Sequence, residues 1–202
     1  MPNSKAGTVD AILMASGFSA RFGGTNKLAA PFCGVPLVQH TLNLVCGLPV
    51  FSNIYFVCAN PKVAAMGASY PVQIIHNQNP GRGQRESIRL GVLPSVADYY
   101  LFFACDQPLL NAATVQAVLA ARKAGHIVQP AYNGQAAGPS LFAKAFRQSL
   151  LTLPPGQTGR AIKQQHQTHL LTINLPSPLP LADADTPEEL ARLEELAGCG
   201  SL

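Results

Sequence analysis

The strongest constraint on this chain's fold is that its strand-length apolar runs do not alternate. Residues 9–15, 54–58, 72–75 and 99–105 are nearly continuous apolar stretches. A strand that is apolar on both faces must be covered on both faces, as in a parallel sheet flanked by helices. Helix-start chemistry lies between and after these runs. Pro36-Leu37 begins a helix reaching about Cys46, Asn60-Pro61 opens another, and a third runs from Asn111 to about Lys123 before Gly125. Thr186-Pro187-Glu188-Glu189 has the spacing of a capping box at the start of a final helix. Strand–helix–strand repetition predicts a largely parallel sheet in an α/β fold. Short, antiparallel strands are expected at 127–128 and 140–142, helices at 143–151 and 158–166, and a late strand at 170–175.

A chain of 202 residues with 48% hydrophobic and 12% charged residues supports one full core, without disulfide or metal staples. Five cysteines, widely spaced and without a C-x-x-C, give neither a disulfide framework nor a zinc knuckle. Cys58 and Cys105, inside apolar runs, read as core residues. The apolar runs are too short to span a membrane. Residues 1–10 lack the apolar core of a signal peptide, so the expected location is cytoplasmic. The net charge of +4 is scattered, with no aromatic-interleaved basic stretch, which argues against a nucleic-acid partner.

In an open α/β sheet, ligands bind beyond the carboxyl ends of the strands. Four polar features fall at or near such ends. The first run breaks into Ser16-Gly17 and a glycine-rich loop holding Arg21 and Lys27 and no acid. Such a loop brings backbone N–H groups and fixed cations to phosphate. It has neither the Walker A spacing nor G-x-G-x-x-G, so by itself it reads equally as a solvated surface loop. The second feature is the His76-Asn77 turn. The third is Asp106, which is either solvated in the crevice, held by a cation, or used to cap residues 108–111. The fourth is Asp183 with Asp185. In an extended segment these two face one side and suit a divalent ion, or else they complement the dipole of the helix beginning at Thr186. Cations for polyphosphate together with carboxylates indicate a magnesium-dependent reaction at phosphorus. No protein nucleophile is paired with a base, and no G-x-S-x-G elbow is present. The attacking group is therefore expected on a substrate.

The motifs as a set resemble the nucleotidyltransferases that modify molybdopterin. The resemblance runs through Leu13-Met14-Ala15-Ser16-Gly17-x-Ser19-x-Arg21-Phe22-Gly23, Lys27-Leu28, Gly34-x-Pro36-Leu37, Asn77 and Gly83-x-x-x-Ser87-Ile88-Arg89-x-Gly91. It continues through Ala104-Cys105-Asp106-Gln107-Pro108, Gly138-Pro139-Ser140-Leu141-Phe142 and Asp183-x-Asp185-Thr186-Pro187. Cys-Asp-Gln-Pro and Asp-x-Asp-Thr-Pro together point to the molybdenum cofactor cytidylyltransferase branch. The resemblance implies a three-layer, Rossmann-like fold with a mixed, mostly parallel sheet of about seven strands. It implies a single domain over 1–202, with a nucleotide-binding half at about 1–110 and an acceptor half at about 111–202. It also implies CTP and molybdopterin as substrates, Mg²⁺ as cofactor, and a recipient molybdoenzyme as a partner. The pterin's terminal phosphate would attack the α-phosphorus and pyrophosphate would leave. By the same resemblance Arg21, Lys27 and Asp106 are catalytic, and Asp106 and Asp185 are the metal ligands. Ala15, Ser16, Gly17, Asn77, Gly83 and Ser87 complete the nucleotide site. Guanylyl-transferring relatives tend to have Gly-Gly where this chain has Ser16-Gly17, and this is the basis for expecting CTP. Other readings are transfer from GTP, transfer to another phosphorylated acceptor such as a sugar phosphate, and a non-catalytic nucleotide-binding or cofactor-delivery module.

Overall fold

A computed structural model describes residues 7–17, 22 and 26–199. In chain order, β1 (Val9–Ala15) leads to a hairpin of β2 (Pro31–Phe32) and β3 (Val35–Pro36), then α1 (Leu37–Cys46). β4 (Asn53–Cys58), α2 (Pro61–Gly67), β5 (Gln73–His76) and α3 (Gln84–Val92) follow, and then β6 (Tyr99–Ala104) and α4 (Ala112–Ala120). The remainder is β7 (Ile127–Tyr132), β8 (Gln135–Ala136), β9 (Ser140–Ala143), α5 (Arg147–Leu151), α6 (Gly159–Gln165), β10 (Leu170–Asn174) and α7 (Pro187–Leu196).

The main sheet has the order β10-β7-β9-β6-β1-β4-β5, with β8 hydrogen-bonded to β7 outside this path. The pairings of β1 with β4 and β6, of β4 with β5, and of β7 with β10 are parallel. β9 runs antiparallel to both β6 and β7. The expected mixed, mostly parallel, Rossmann-like α/β sheet is therefore what the chain forms. Its centre is as apolar as the sequence requires: Ile12, Leu13, Phe56, Leu101 and Phe103 are fully buried. The order reverses between β1 and β6, because successive strands leave β1 toward β4 and β5 while β6 returns on the other side. Such a reversal opens a crevice at the carboxyl ends of the two strands.

The helices sit close to the sheet. A Cβ placed on Gly91 would lie 2.3 Å from Ile12 Cγ2, so α3 approaches β1 more closely than any side chain at 91 allows. The cap positions behave as their chemistry predicts. Asn60 and Asn111 accept backbone N–H bonds at the starts of α2 and α4. Thr186 and Glu189 form the reciprocal capping box of α7.

The structure departs from expectation in three places. Cys33 and Cys199 form a disulfide, which joins the β2–β3 turn to the segment after α7. Nothing local marks this pair, since the two residues are 166 positions apart. β7 runs to Tyr132 through Pro130, well beyond residues 127–128. Proline donates no ladder hydrogen bond and is tolerated here because the pairing with β9 ends at Val128. Residues 143–151 are not one helix but a 3₁₀ turn over Lys144–Phe146 followed by α5. The late strand forms as expected: β10 lies at the far edge of the sheet, and residues 175–186 carry the chain back toward β6.

Candidate functional site

Lys27 is positioned by a short rigid turn. Asn26 caps the 3₁₀ segment Lys27–Ala29 by accepting the Leu28 N–H at 3.0 Å, and Leu28 is buried beneath it. Asp106 follows β6, the parallel neighbour of β1. Asp185 arrives from the distant edge of the sheet and is held by three backbone-directed contacts. The Ala184 N–H donates to the Asp106 carbonyl at 2.9 Å, tying the returning segment to β6. Glu189 accepts the N–H groups of Asp185 and Thr186 at 2.9 and 3.1 Å. Gln107 strengthens the junction by donating to the Leu181 carbonyl at 3.2 Å.

These elements bring three charges together. The Lys27 ammonium donates to Asp106 Oδ2 at 2.5 Å and to Asp185 Oδ1 at 2.7 Å. Burial works against that ammonium, but the charge and hydrogen bond of Asp106, together with those of Asp185, outweigh it. The Lys27 pKa is consequently raised above the ordinary lysine value. Asp183 stands two residues before Asp185, with the fully buried Ala184 between them. Although the Asp183 side chain reaches solvent, the protein around its carboxyl and the nearby Asp106 charge push its pKa up to about 6. Two carboxylates directed at one cationic point are the donor set a small divalent ion takes, the remaining positions being filled by phosphate and water. Among the described residues, no group of three or more His, Cys, Asp or Glu is gathered for a metal.

The cluster lines a crevice of about 450 Å³ at the switch between β1 and β6. Ser16, Gly17, Gly83 and Ser87 line the same crevice. Ser16 Oγ donates to the Val57 carbonyl at 3.2 Å, which turns the side chain toward the end of β4. Gly83 begins α3 with φ +74° and ψ −168°, a backbone conformation essentially restricted to glycine. Ala15 and Asn77 stand one layer back. Ala15 is buried in the core. Asn77 donates to Ser87 Oγ at 3.3 Å and accepts the Asn79 N–H at 3.0 Å, so it holds the turn that presents Ser87. His76 is exposed on the adjoining strand end and is not part of the wall. Arg21 lies outside the described residues.

Sequence reasoning did not single out Gln84, which lines this crevice and also a second one. Nor did it single out Arg160 and Lys163 in that second cavity. The available signal was their spacing, three apart just after a Thr158 N-cap, which places both cations on one helical face.

A crevice at the switch point of a mixed α/β sheet, lined by one lysine and two aspartates, is the arrangement of a nucleotidyltransferase fold. Residues 11–170 match the family described as MobA-like NTP transferase domain, and the chain belongs to that family. The chain is 29% identical over 117 residues to a molybdenum cofactor guanylyltransferase of Shewanella baltica. That match spans 57% of this chain and 58% of the relative's length. The fold resembles a nucleotidyl transferase from Methanothermobacter, with a TM-score of 0.83 at 17% identity, covering 94% of this chain and 97% of the other. It also resembles a Mycobacterium tuberculosis H37Rv protein solved in complex with manganese, with a TM-score of 0.76 at 19% identity, covering 93% and 98%. No helix among the described residues is long and apolar enough to cross a membrane.

Proposed function

We propose that this chain transfers the nucleotidyl group of CTP to the terminal phosphate of molybdopterin or its metal-loaded form, releasing pyrophosphate. The observation that carries this reading is the convergence of Lys27, Asp106 and Asp185 in one crevice. The acceptor's phosphate oxygen forms the new bond to the α-phosphorus. The bond between that phosphorus and the bridging oxygen breaks, and pyrophosphate leaves with the electron pair. The protein's own part is positioning and electrostatics. Lys27 supplies a fixed positive charge where negative charge accumulates around the α-phosphate, and Arg21 is assigned to the β- and γ-phosphates. Gly83 and Ser87 line the nucleoside side, with Ser87 steadied by Asn77. Asp106 and Asp185 would hold a divalent ion, Mg²⁺ in this reading. Such an ion screens the triphosphate and polarises the phosphoryl oxygens when bound.

Ser16 supports the choice of CTP. It places a side chain at the crevice wall where guanylyl-transferring relatives tend to have glycine, leaving less room for a purine. A second reading, transfer from GTP, is favoured by the Shewanella baltica guanylyltransferase. Pyrophosphate release with Mg²⁺ and molybdopterin decides between them: faster release from CTP supports the first, and equal or faster release from GTP overturns it.

A further inference from the structure

A second cavity of about 180 Å³ adjoins the first, and Met14, Gln84 and Ala104 line both. The shared residue Ala104 ends β6, two positions before Asp106, so the second cavity opens toward the reacting centre. Its wall is divided by chemistry. One part is aromatic, formed by Phe102 and Phe142, which meet edge to face at 5.6 Å. The other carries Ser140, Arg160 and Lys163.

Lys163 is the unusual member. Its ammonium donates to Ser140 Oγ at 3.3 Å, and Ser140 itself is buried. No carboxylate of the described residues forms an ion pair with it. The charge that acts on it is that of another cation, Arg160, one helical turn earlier on α6. Burial first, and Arg160 second, lower its pKa from the usual lysine value. A partly desolvated cation beside a like charge is unfavourable by itself and becomes favourable when an anion enters. The cavity is therefore prepared for an anionic ligand with a flat or apolar body.

We propose that this cavity is the acceptor pocket, and that Lys163 with Arg160 selects acceptors carrying a phosphate monoester. Naming the ligand as the acceptor rests on the nucleotidyl-transfer reading of the first crevice; the anion site itself does not. The aromatic wall formed by Phe102 and Phe142 packs the acceptor's body. Lys163 and Arg160 hold its dianionic phosphate facing the junction at Ala104. Neither residue takes part in bond making, so they determine specificity and position.

Phenyl phosphate is a suitable probe, because it combines a phosphate monoester with a ring. Calorimetric titration of the full chain should give binding that Lys163→Gln weakens by about tenfold or more. Arg160→Gln, more exposed, should weaken it several-fold, and Lys163→Arg should retain most of it. Lys27→Gln should leave it within about twofold of wild type. Wild-type affinity in Lys163→Gln overturns the proposal, as does a loss that follows Lys27→Gln instead, since the probe then sits in the first crevice. Thermal unfolding separates lost binding from lost folding. In the full reaction, Lys163→Gln should raise the KM for the acceptor and leave the KM for the nucleotide unchanged. If the wild type turns over no nucleotide while Lys163-dependent binding persists, the transfer reading fails and the anion site stands.

Discussion

Removing the Lys27 side-chain charge should separate two roles that this residue combines. Its ammonium bridges Asp106 and Asp185 at 2.5 and 2.7 Å, with side-chain exposures of 12% for Lys27, 21% for Asp106 and 45% for Asp185. A hydrogen bond between charged groups contributes about 1.5–3 kcal/mol when sheltered. The contact to half-exposed Asp185 is discounted to roughly 1 kcal/mol or less. Lys27→Met should thus destabilise the metal-free protein by about 2–4 kcal/mol, partly through the repulsion of two carboxylates left facing each other. The same substitution should strengthen metal binding. In the wild type a divalent ion must displace the ammonium from both carboxylates, whereas in Lys27→Met it does not. At about 1.4 kcal/mol per factor of ten, removing about 2–4 kcal/mol of competition should raise Mn²⁺ affinity in the absence of nucleotide by roughly 30- to 700-fold. Electron paramagnetic resonance titration of free Mn²⁺ reads this directly, and urea unfolding with and without Mn²⁺ should show the ion restoring the lost stability. The kcat should nevertheless fall by about 10²-fold or more, because a metal between the carboxylates does not replace a cation at the α-phosphate. Unchanged or weaker Mn²⁺ binding in Lys27→Met would mean that the ammonium and the ion do not share one site.

Two further outcomes test the framework around the site. Gly83→Ala forces a side chain into a backbone conformation of φ +74° and ψ −168° and should cost about 1–3 kcal/mol, read as a lowered urea midpoint with an unchanged slope. Reducing the Cys33–Cys199 disulfide, or introducing Cys33→Ser, opens a covalent loop with a sequence separation of 166 and should lower stability by about 2–4 kcal/mol. Equal unfolding midpoints with and without reductant would contradict that.

The sheet was legible in the sequence because its information is local. Residues 9–15 and 99–105 are apolar on both faces, and such strands must be buried on both faces. Asn60, Asn111 and the Thr186–Glu189 capping box announce helix starts through side chains that bond the nearest backbone. Asp106 stood out for a similar reason, as a carboxylate directly after an apolar strand. What stayed hidden depends on contacts between distant segments. The Cys33–Cys199 pairing requires knowing that the segment after α7 returns to the β2–β3 turn. The path of residues 175–186 from the sheet edge back to Asp106 is set by the Ala184 N–H, which nothing in the sequence marks, and by Gln107, whose place in the Cys-Asp-Gln-Pro motif does not reveal its partner Leu181. The second cavity is assembled from β6, β9 and α6, so the significance of Lys163 appears only when Ser140 and Arg160 are beside it. Pro130 shows the opposite case. Its lack of a donor is a local signal to break a strand, and the ladder that would need the donor stops two residues earlier.

Joint action of Asp106 and Asp185 with Lys27 at the phosphorus being transferred is the core of the proposed function. Its most direct test is the kcat of Asp106→Asn and of Asp185→Asn, at saturating CTP, Mg²⁺ and molybdopterin, in variants whose folding is verified by circular dichroism. The loss of a metal's share of transition-state stabilisation, several kcal/mol, predicts a fall of about 10³-fold for Asp106→Asn and at least tenfold for Asp185→Asn. If both variants keep a kcat within a few-fold of wild type, this crevice is not the centre of the reaction.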